Sequence, residues 1–203
     1  MDDRQEPAAG PIDAWDHRDC AGTPHCPPRC PRFVDAHGEA MVVRPYDPTV
    51  DRDSLVSMYH GMGPQSRTLG VPPTAREDVE AWLDHLLDNG RNLVASHDGR
   101  VLGHLAAIAE PGDLREFTIF VHEDYRGRGI GTELLKHEIA HAAADGEDGL
   151  RLLVAADNRA AMETFRGLDF EVTESWGFDR EMRLSFEADV AAAVRRPPAR
   201  RDA

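Results

Sequence analysis

A mixed α/β domain built around one sheet is the fold class this sequence predicts, and three observations predict it. Strand and helix periodicities follow one another in the order β-α-α-β-β-β-α-β-α-β-β. A chain of 203 residues that is 41% hydrophobic can bury one sizeable core. Glycines and prolines gather between the periodic segments rather than inside them.

The elements justify themselves in order. Residues 1–40 are rich in Pro, Asp, His and Cys, show neither apolar period, and read as an irregular arm. "AMVVRPY" (40–46) is a short strand. "PTVDRDSLVSMYHGM" (48–62) sets Leu55, Met58 and Tyr59 on one helical face. A second helix follows, with Thr74 as cap, Glu77 completing a capping box, and Val79, Trp82, Leu83, Leu86 and Leu87 as its stripe. "NLVASHDGRVLGHLAAIA" (92–109) is a pair of strands turned at Asp98-Gly99, a strong hairpin signal. "LREFTIFV" (114–121) alternates Phe117, Ile119 and Val121 against Glu116, Thr118 and Phe120. Leu134, Leu135, Ile139 and Ala142 mark a helix, 150–156 a buried strand, 158–168 a short helix, and 170–174 with 181–186 the last strands. The domain proper thus spans 41–186, and 187–203 is a tail in which a short Ala-rich helix is expected.

The charge balance narrows the partners. Formal net charge is −14, and Lys136 is the sole lysine. Such a surface repels nucleic acid and anionic membrane, so neither is an expected partner. An acidic excess with arginine in place of lysine suits a halophilic, salt-adapted cytoplasm, where a carboxylate surface resists salting out, with an ordinary acidic protein from a GC-rich genome, which also favours Arg over Lys, as the alternative. No apolar run is long enough for a membrane span, and the first residues lack a signal-peptide core. A cytoplasmic protein is expected.

"DYRGRGIGTELL" (124–135) places three glycines and two arginines ahead of a helix. It is neither a Walker loop, since Thr132 is followed by Glu133, nor a dinucleotide fingerprint, since Gly127, Gly129 and Gly131 alternate. A strand, a bare turn and a helix start still form an anion site, because orphan amides and the positive dipole end converge where no side chain blocks approach.

These residues bring a family into view. "RGRGIG" (126–131) resembles the Gln/Arg-x-x-Gly-x-Gly/Ala signature of the GNAT superfamily of N-acetyltransferases. "VASHDGRVLGHLAAI" resembles that family's central hairpin, "TIFVHEDYRGRGIGTELL" its fourth strand and cofactor loop, and "NRAAMETFRGLDF" its Asn-x-x-Ala-x-x-x-Tyr segment. The resemblance implies a central mixed, mostly antiparallel sheet of about seven strands flanked by helices. It implies acetyl-coenzyme A as cofactor, its pyrophosphate held by Arg126, Gly127, Arg128, Gly129, Ile130, Gly131 and Thr132. It also implies a pantetheine arm against the amides near Val121, and contacts from Asn158 and Phe165. The acceptor implied is a primary amine, on a protein lysine, a polyamine or another small cationic molecule. Residues 58–73 faintly resemble the first helix segment of members that act on protein lysines.

An amine with a pKa near 10.4 is about one part in a few thousand neutral at pH 7, so a base should assist. Glu116, five residues before Val121, stands where several members carry a catalytic Glu. His122 is the alternative, while Glu123 and Asp124 are expected at the surface. Two positions depart from the family: Phe165, where many members have a proton-donating Tyr, and Asp169, where Gly is common.

Cys20, Cys26 and Cys30 are all the cysteines, with histidines close by. An odd number in a reducing compartment disfavours disulfides, and Cys20, Cys26, Cys30 and His25 form a candidate structural zinc set, against uncommitted free thiols and redox roles. Two rival functions stay open: a non-catalytic acetyl-coenzyme A sensor, motivated by Phe165, and a zinc-bearing interaction module. A homodimer is a candidate assembly.

Overall fold

Phe117 and Phe120 stand three apart on one strand and therefore face opposite sides of the sheet, and both are buried. That sheet must be covered twice. The computed structural model describes residues 18–63, 66, 71–110, 114–186 and 189–201. Its strands are β1 (Arg32–Val34), β2 (Ala40–Pro45), β3 (Gly90–His97), β4 (Arg100–Ile108), β5 (Arg115–Val121), β6 (Gly149–Ala155), β7 (Glu171–Trp176) and β8 (Asp179–Ser185). Its α-helices are α1 (Arg52–Gly61), α2 (Arg76–Asn89), α3 (Ile130–Ala144), α4 (Arg159–Arg166) and α5 (Asp189–Val194).

The eight strands lie in the order β1-β2-β3-β4-β5-β6-β8-β7. All neighbours are antiparallel except β5 and β6. Two apolar layers result. Leu55, Met58 and Tyr59 of α1 and Val79 and Leu83 of α2 meet Val94, Val101 and Phe120 on one face. Ile130, Leu134, Leu135 and Ile139 of α3, with Met162 and Phe165 of α4, meet Leu105, Phe117, Leu152 and Met182 on the other. Gly103 lets α3 approach closely, since a Cβ there would lie 2.9 Å from Leu134 Cδ1 and 3.1 Å from Ile130 Cγ2.

The β3–β4 hairpin turns at Asp98 and Gly99, both with positive φ (47° and 74°), as a two-residue primed turn requires. The expected capping box on α2 is out of register. Ala75 takes the cap position without a side-chain hydrogen bond, so Glu77 is one residue too early to reach back.

Residues 1–17 of the expected arm lie outside the described residues; the described part, 18–40, contributes β1, an eighth strand that the three residues Arg32–Val34 are too short to announce by alternation. It is also packed in. The Ala199 N–H donates to the Cys20 carbonyl at 3.1 Å, tying arm to tail. Buried Arg29 donates to both carboxylate oxygens of Glu133 on α3 (2.7 and 2.9 Å) and to the Val194 carbonyl at the end of α5 (2.5 Å). α5 itself is the Ala-rich tail helix.

Candidate active site

The sheet opens where β5 and β6 part. Their pairing covers Arg115 with Leu150 and Glu116 with Arg151, and stops there. On its other edge β5 stays paired with β4 to Val121, and the His122 N–H reaches the Leu102 carbonyl at 2.9 Å. That bond sets the alternation: Phe120 and Thr118 turn their backbone groups to β4, while Ile119 and Val121 turn theirs into the gap. A cleft of about 730 Å³ occupies the gap, lined by Ile119, Phe120 and Val121 on one side and Ala155, Asn158 and Phe165 on the other.

The glycine turn closes one end of this cleft. Gly127 and Gly129 have φ of 72° and 86°, in the left-handed region that favours glycine. Gly129 caps α3, whose first intrahelical bond runs from the Glu133 N–H to the Gly129 carbonyl (2.9 Å). The amides of Ile130, Gly131 and Thr132 precede that bond, so they have no intrahelical acceptor and sit at the positive end of a 15-residue helix. Arg126, Gly127, Gly129, Ile130, Gly131 and Thr132 all line the cleft. Gly131 lines the cleft beside Val121 and Ile119, whose side chains lie 3.6 and 3.8 Å from where a Cβ would stand. The cradle therefore fits a diphosphate.

Glu133 follows the cradle and would oppose an anion, but Arg29 neutralises it: the guanidinium beside it holds the carboxyl below the usual carboxylate range despite burial. Arg128 corrects an expectation. It does not line the cleft; its guanidinium lies 4.6 Å over the Tyr125 ring and bonds Glu39 (2.9 Å) and Asp35 (3.4 Å). In so acidic a chain its nearest anions are its own carboxylates, and Arg128 braces the turn from behind. Arg126 stays at the cleft, with its Nε on the Val121 carbonyl at 3.1 Å.

Glu116 sits at the closed end of the fork, on the sheet face that carries Phe120. Arg151 holds it at 2.8 Å and also reaches Glu181 at 3.3 Å. It is half-buried and outside the cleft lining. Asn158 caps α4, accepting from the Ala161 N–H at 3.3 Å. Phe165 packs edge-on to Phe117 (5.9 Å) with no hydroxyl to offer. Asp169 adopts φ 62°, the conformation for which glycine is better suited. His122 Nδ1 lies 3.7 Å from Asp124. Glu123 is exposed as expected, yet it accepts from the Gly63 N–H (3.2 Å) and the Ser66 hydroxyl (3.0 Å), tying the segment after α1 to the cleft rim.

The zinc set is also corrected. Among the described residues no three His, Cys, Asp or Glu side chains come together to hold a metal ion. Cys26 is instead turned onto Thr23, whose N–H donates to Sγ at 3.2 Å. Cys20, Cys26 and Cys30 are free thiols.

Sequence reading missed a buried polar chain behind the cleft wall. Asn92 Nδ2 donates to the Leu86 and Gly90 carbonyls, so its Oδ1 accepts from His104 Nε2 (2.9 Å) and the Tyr59 hydroxyl donates to His104 Nδ1 (2.8 Å). Burial lowers His104 from 6.5 to about 3 and raises Tyr59 well above its ordinary value. Tyr59 in turn packs edge-on to Phe120 and Trp82 (5.7 and 5.2 Å), stiffening that wall.

The chain is similar to known proteins. The model of the acetyltransferase (GNAT) family matches residues 56–170. The L-methionine sulfoximine/L-methionine sulfone acetyltransferase of Pseudomonas aeruginosa is 27% identical over 135 residues, covering 61% of this chain and 76% of that protein. The GNAT domain of S. lividans PAT superposes with a TM-score of 0.66 at 21% identity, over 76% of this chain and 96% of that one. A phosphinothricin acetyltransferase from Sinorhizobium meliloti, solved in complex with acetyl-coenzyme A, gives a TM-score of 0.60 at 20% identity, over 71% and 88%.

Proposed function

Because this chain belongs to the acetyltransferase (GNAT) family and is an N-acetyltransferase, we propose that it transfers the acetyl group of acetyl-coenzyme A to a primary amine, by direct attack with help from a base. The observation that carries this reading is the fork between β5 and β6, which aims the N–H groups of Ile119 and Val121 and the start of α3 into one cleft.

Acetyl-coenzyme A supplies the activated acetyl group. The chain's own residues do the rest. The amides of Ile130, Gly131 and Thr132, with Arg126, hold the pyrophosphate. The N–H groups of Ile119 and Val121 align the pantetheine arm as a further strand would, and one directed at the thioester carbonyl would polarise it as an oxyanion hole does. Glu116 takes a proton from the acceptor ammonium on the face of β5 shared with Thr118 and Phe120, its rotamer fixed by Arg151. Phe165 shapes the cleft and donates nothing. The leaving thiolate, with a pKa near 8.5 by analogy with cysteine, takes its proton from water.

A protein lysine, a polyamine or another small cationic amine would each be drawn to a chain of net charge −14. The relatives named for methionine sulfoximine and phosphinothricin support a small-molecule acceptor. The acidic, lysine-poor composition supports a salt-adapted, cytoplasmic setting.

The test is calorimetric titration of acetyl-coenzyme A in high-salt buffer, followed by release of free thiol with a panel of amines and lysine peptides. Glu116→Gln should keep acetyl-coenzyme A affinity and lose about 10²-fold or more in the acceptor reaction near neutral pH. An unchanged rate removes Glu116 from the mechanism. Binding without release across the panel supports the rival reading, a sensor, which the missing hydroxyl at Phe165 motivates.

A further inference from the structure

A second pocket, of about 480 Å³, lies away from the cleft, where the arm meets the tail. All three cysteines line it, together with Arg195 and Arg32, and prolines from both segments form much of its wall. Proline fixes φ, so this wall keeps its shape without a ligand. The Ala199 N–H to Cys20 carbonyl bond joins the two segments, and Gly22, with φ 77°, lies against Pro197. The size is that of a small-molecule site.

The pocket has a nucleophile. Cys26 is exposed. Its Sγ receives the Thr23 N–H at 3.2 Å and lies 3.4 Å from the Thr23 hydroxyl. Those two contacts, the hydroxyl first, hold the thiol below its ordinary pKa. Cys20 and Cys30 are half-buried. One thiol of three thus combines access with stabilisation of the thiolate, the form that reacts. Arg195 is exposed on the same lining and adds positive charge to a pocket in an acidic molecule.

We infer that Cys26 is a site of reversible S-thiolation, and that the pocket between arm and tail seats a low-molecular-weight disulfide bearing carboxylates. The Cys26 thiolate, having released its proton to solvent, attacks one sulfur of the disulfide. The S–S bond breaks, a Cys26 Sγ–S bond forms, and the other half leaves as a thiolate that takes a proton from solvent. Cys26 is oxidised and the departing sulfur is reduced, so the step needs no further reagent. A low thiol pKa raises the thiolate fraction more than it lowers intrinsic nucleophilicity, so the net effect near pH 7 is a faster reaction. The inference does not depend on acetyl transfer.

The full chain would be treated at pH 7 with glutathione disulfide and, separately, with the uncharged bis(2-hydroxyethyl) disulfide, and followed by intact mass and peptide mapping. Glutathionylation should fall on Cys26 at least about tenfold faster than on Cys20 or Cys30. Cys26→Ser should abolish the fast adduct. Thr23→Val, which keeps the thiol, should move the pH profile of modification upward. Arg195→Gln should slow glutathione disulfide about threefold or more while sparing the uncharged probe. Adducts spread evenly over the three cysteines, or an unmoved profile in Thr23→Val, would overturn the nucleophile. Equal slowing of both probes by Arg195→Gln would overturn the preference for an anion.

Discussion

Lowering the pH from 7 to 5 should cost this protein stability through His104, and the amount follows from its surroundings. The ring is fully buried between Tyr59 and Asn92, and burial takes it from 6.5 to about 3. The unfolded chain then binds a proton below 6.5 that the native state refuses. The contribution is therefore complete above 6.5 and is lost progressively as pH falls, until the native ring itself titrates near 3. At pH 5 the gap below 6.5 is about 1.5 units, which at about 1.4 kcal/mol per unit amounts to about 2 kcal/mol. His137, lowered to about 3 chiefly by burial, adds a comparable loss. Urea unfolding at pH 7 and pH 5 would measure the sum in the wild type, and His104→Gln, which keeps polar atoms but cannot ionise, would isolate one part. The pH-induced drop should shrink by about 2 kcal/mol in the variant. An identical drop in both proteins would show that His104 titrates as an ordinary histidine, and would refute the buried Tyr59–His104–Asn92 chain.

Other perturbations test the cradle and its supports. Arg29→Met leaves Glu133 buried without its partner and should destabilise by about 3–5 kcal/mol, with Arg29→Met/Glu133→Leu regaining most of it in chemical denaturation. Gly129→Leu forces a branched side chain into φ 86° at the mouth of the cleft. It should weaken acetyl-coenzyme A binding by about tenfold or more, and retained affinity in calorimetry would refute the pyrophosphate assignment. Arg126→Gln should weaken the same binding several-fold, roughly the 1 kcal/mol of an exposed charge-assisted contact, and flatten its dependence on salt.

What could be read in advance was what local periodicity carries. Asp98-Gly99 dictates its own turn, and Gly127 and Gly129 adopt the left-handed backbone for which glycine is suited. The stripe of α2 needs no tertiary information, although its cap did: the helix begins one residue later than Thr74 and Glu77 suggest. β1 escaped because three residues carry no measurable alternation and pair only once β2 is present. Arg29 and Glu133 are 104 positions apart, with nothing in either neighbourhood to announce the other. The two arginines of the glycine turn look alike in sequence, and Asp35 and Glu39, brought close by folding, separate their roles. The cysteine spacing matches no strong metal pattern and left free thiols and a zinc set both open, whereas the turn at Thr23–Cys26 directs that thiol to the backbone.

A sheet that forks at its centre leaves Ile119 and Val121 facing space that a neighbouring strand would otherwise fill, so part of the molecule's cohesion is lent by whatever occupies the gap. A ligand pairing there adds to the native state in proportion to the logarithm of its concentration, about 2.7 kcal/mol at a hundredfold excess over Kd. Acetyl-coenzyme A held there would therefore raise the resistance of the whole domain to unfolding in step with its concentration.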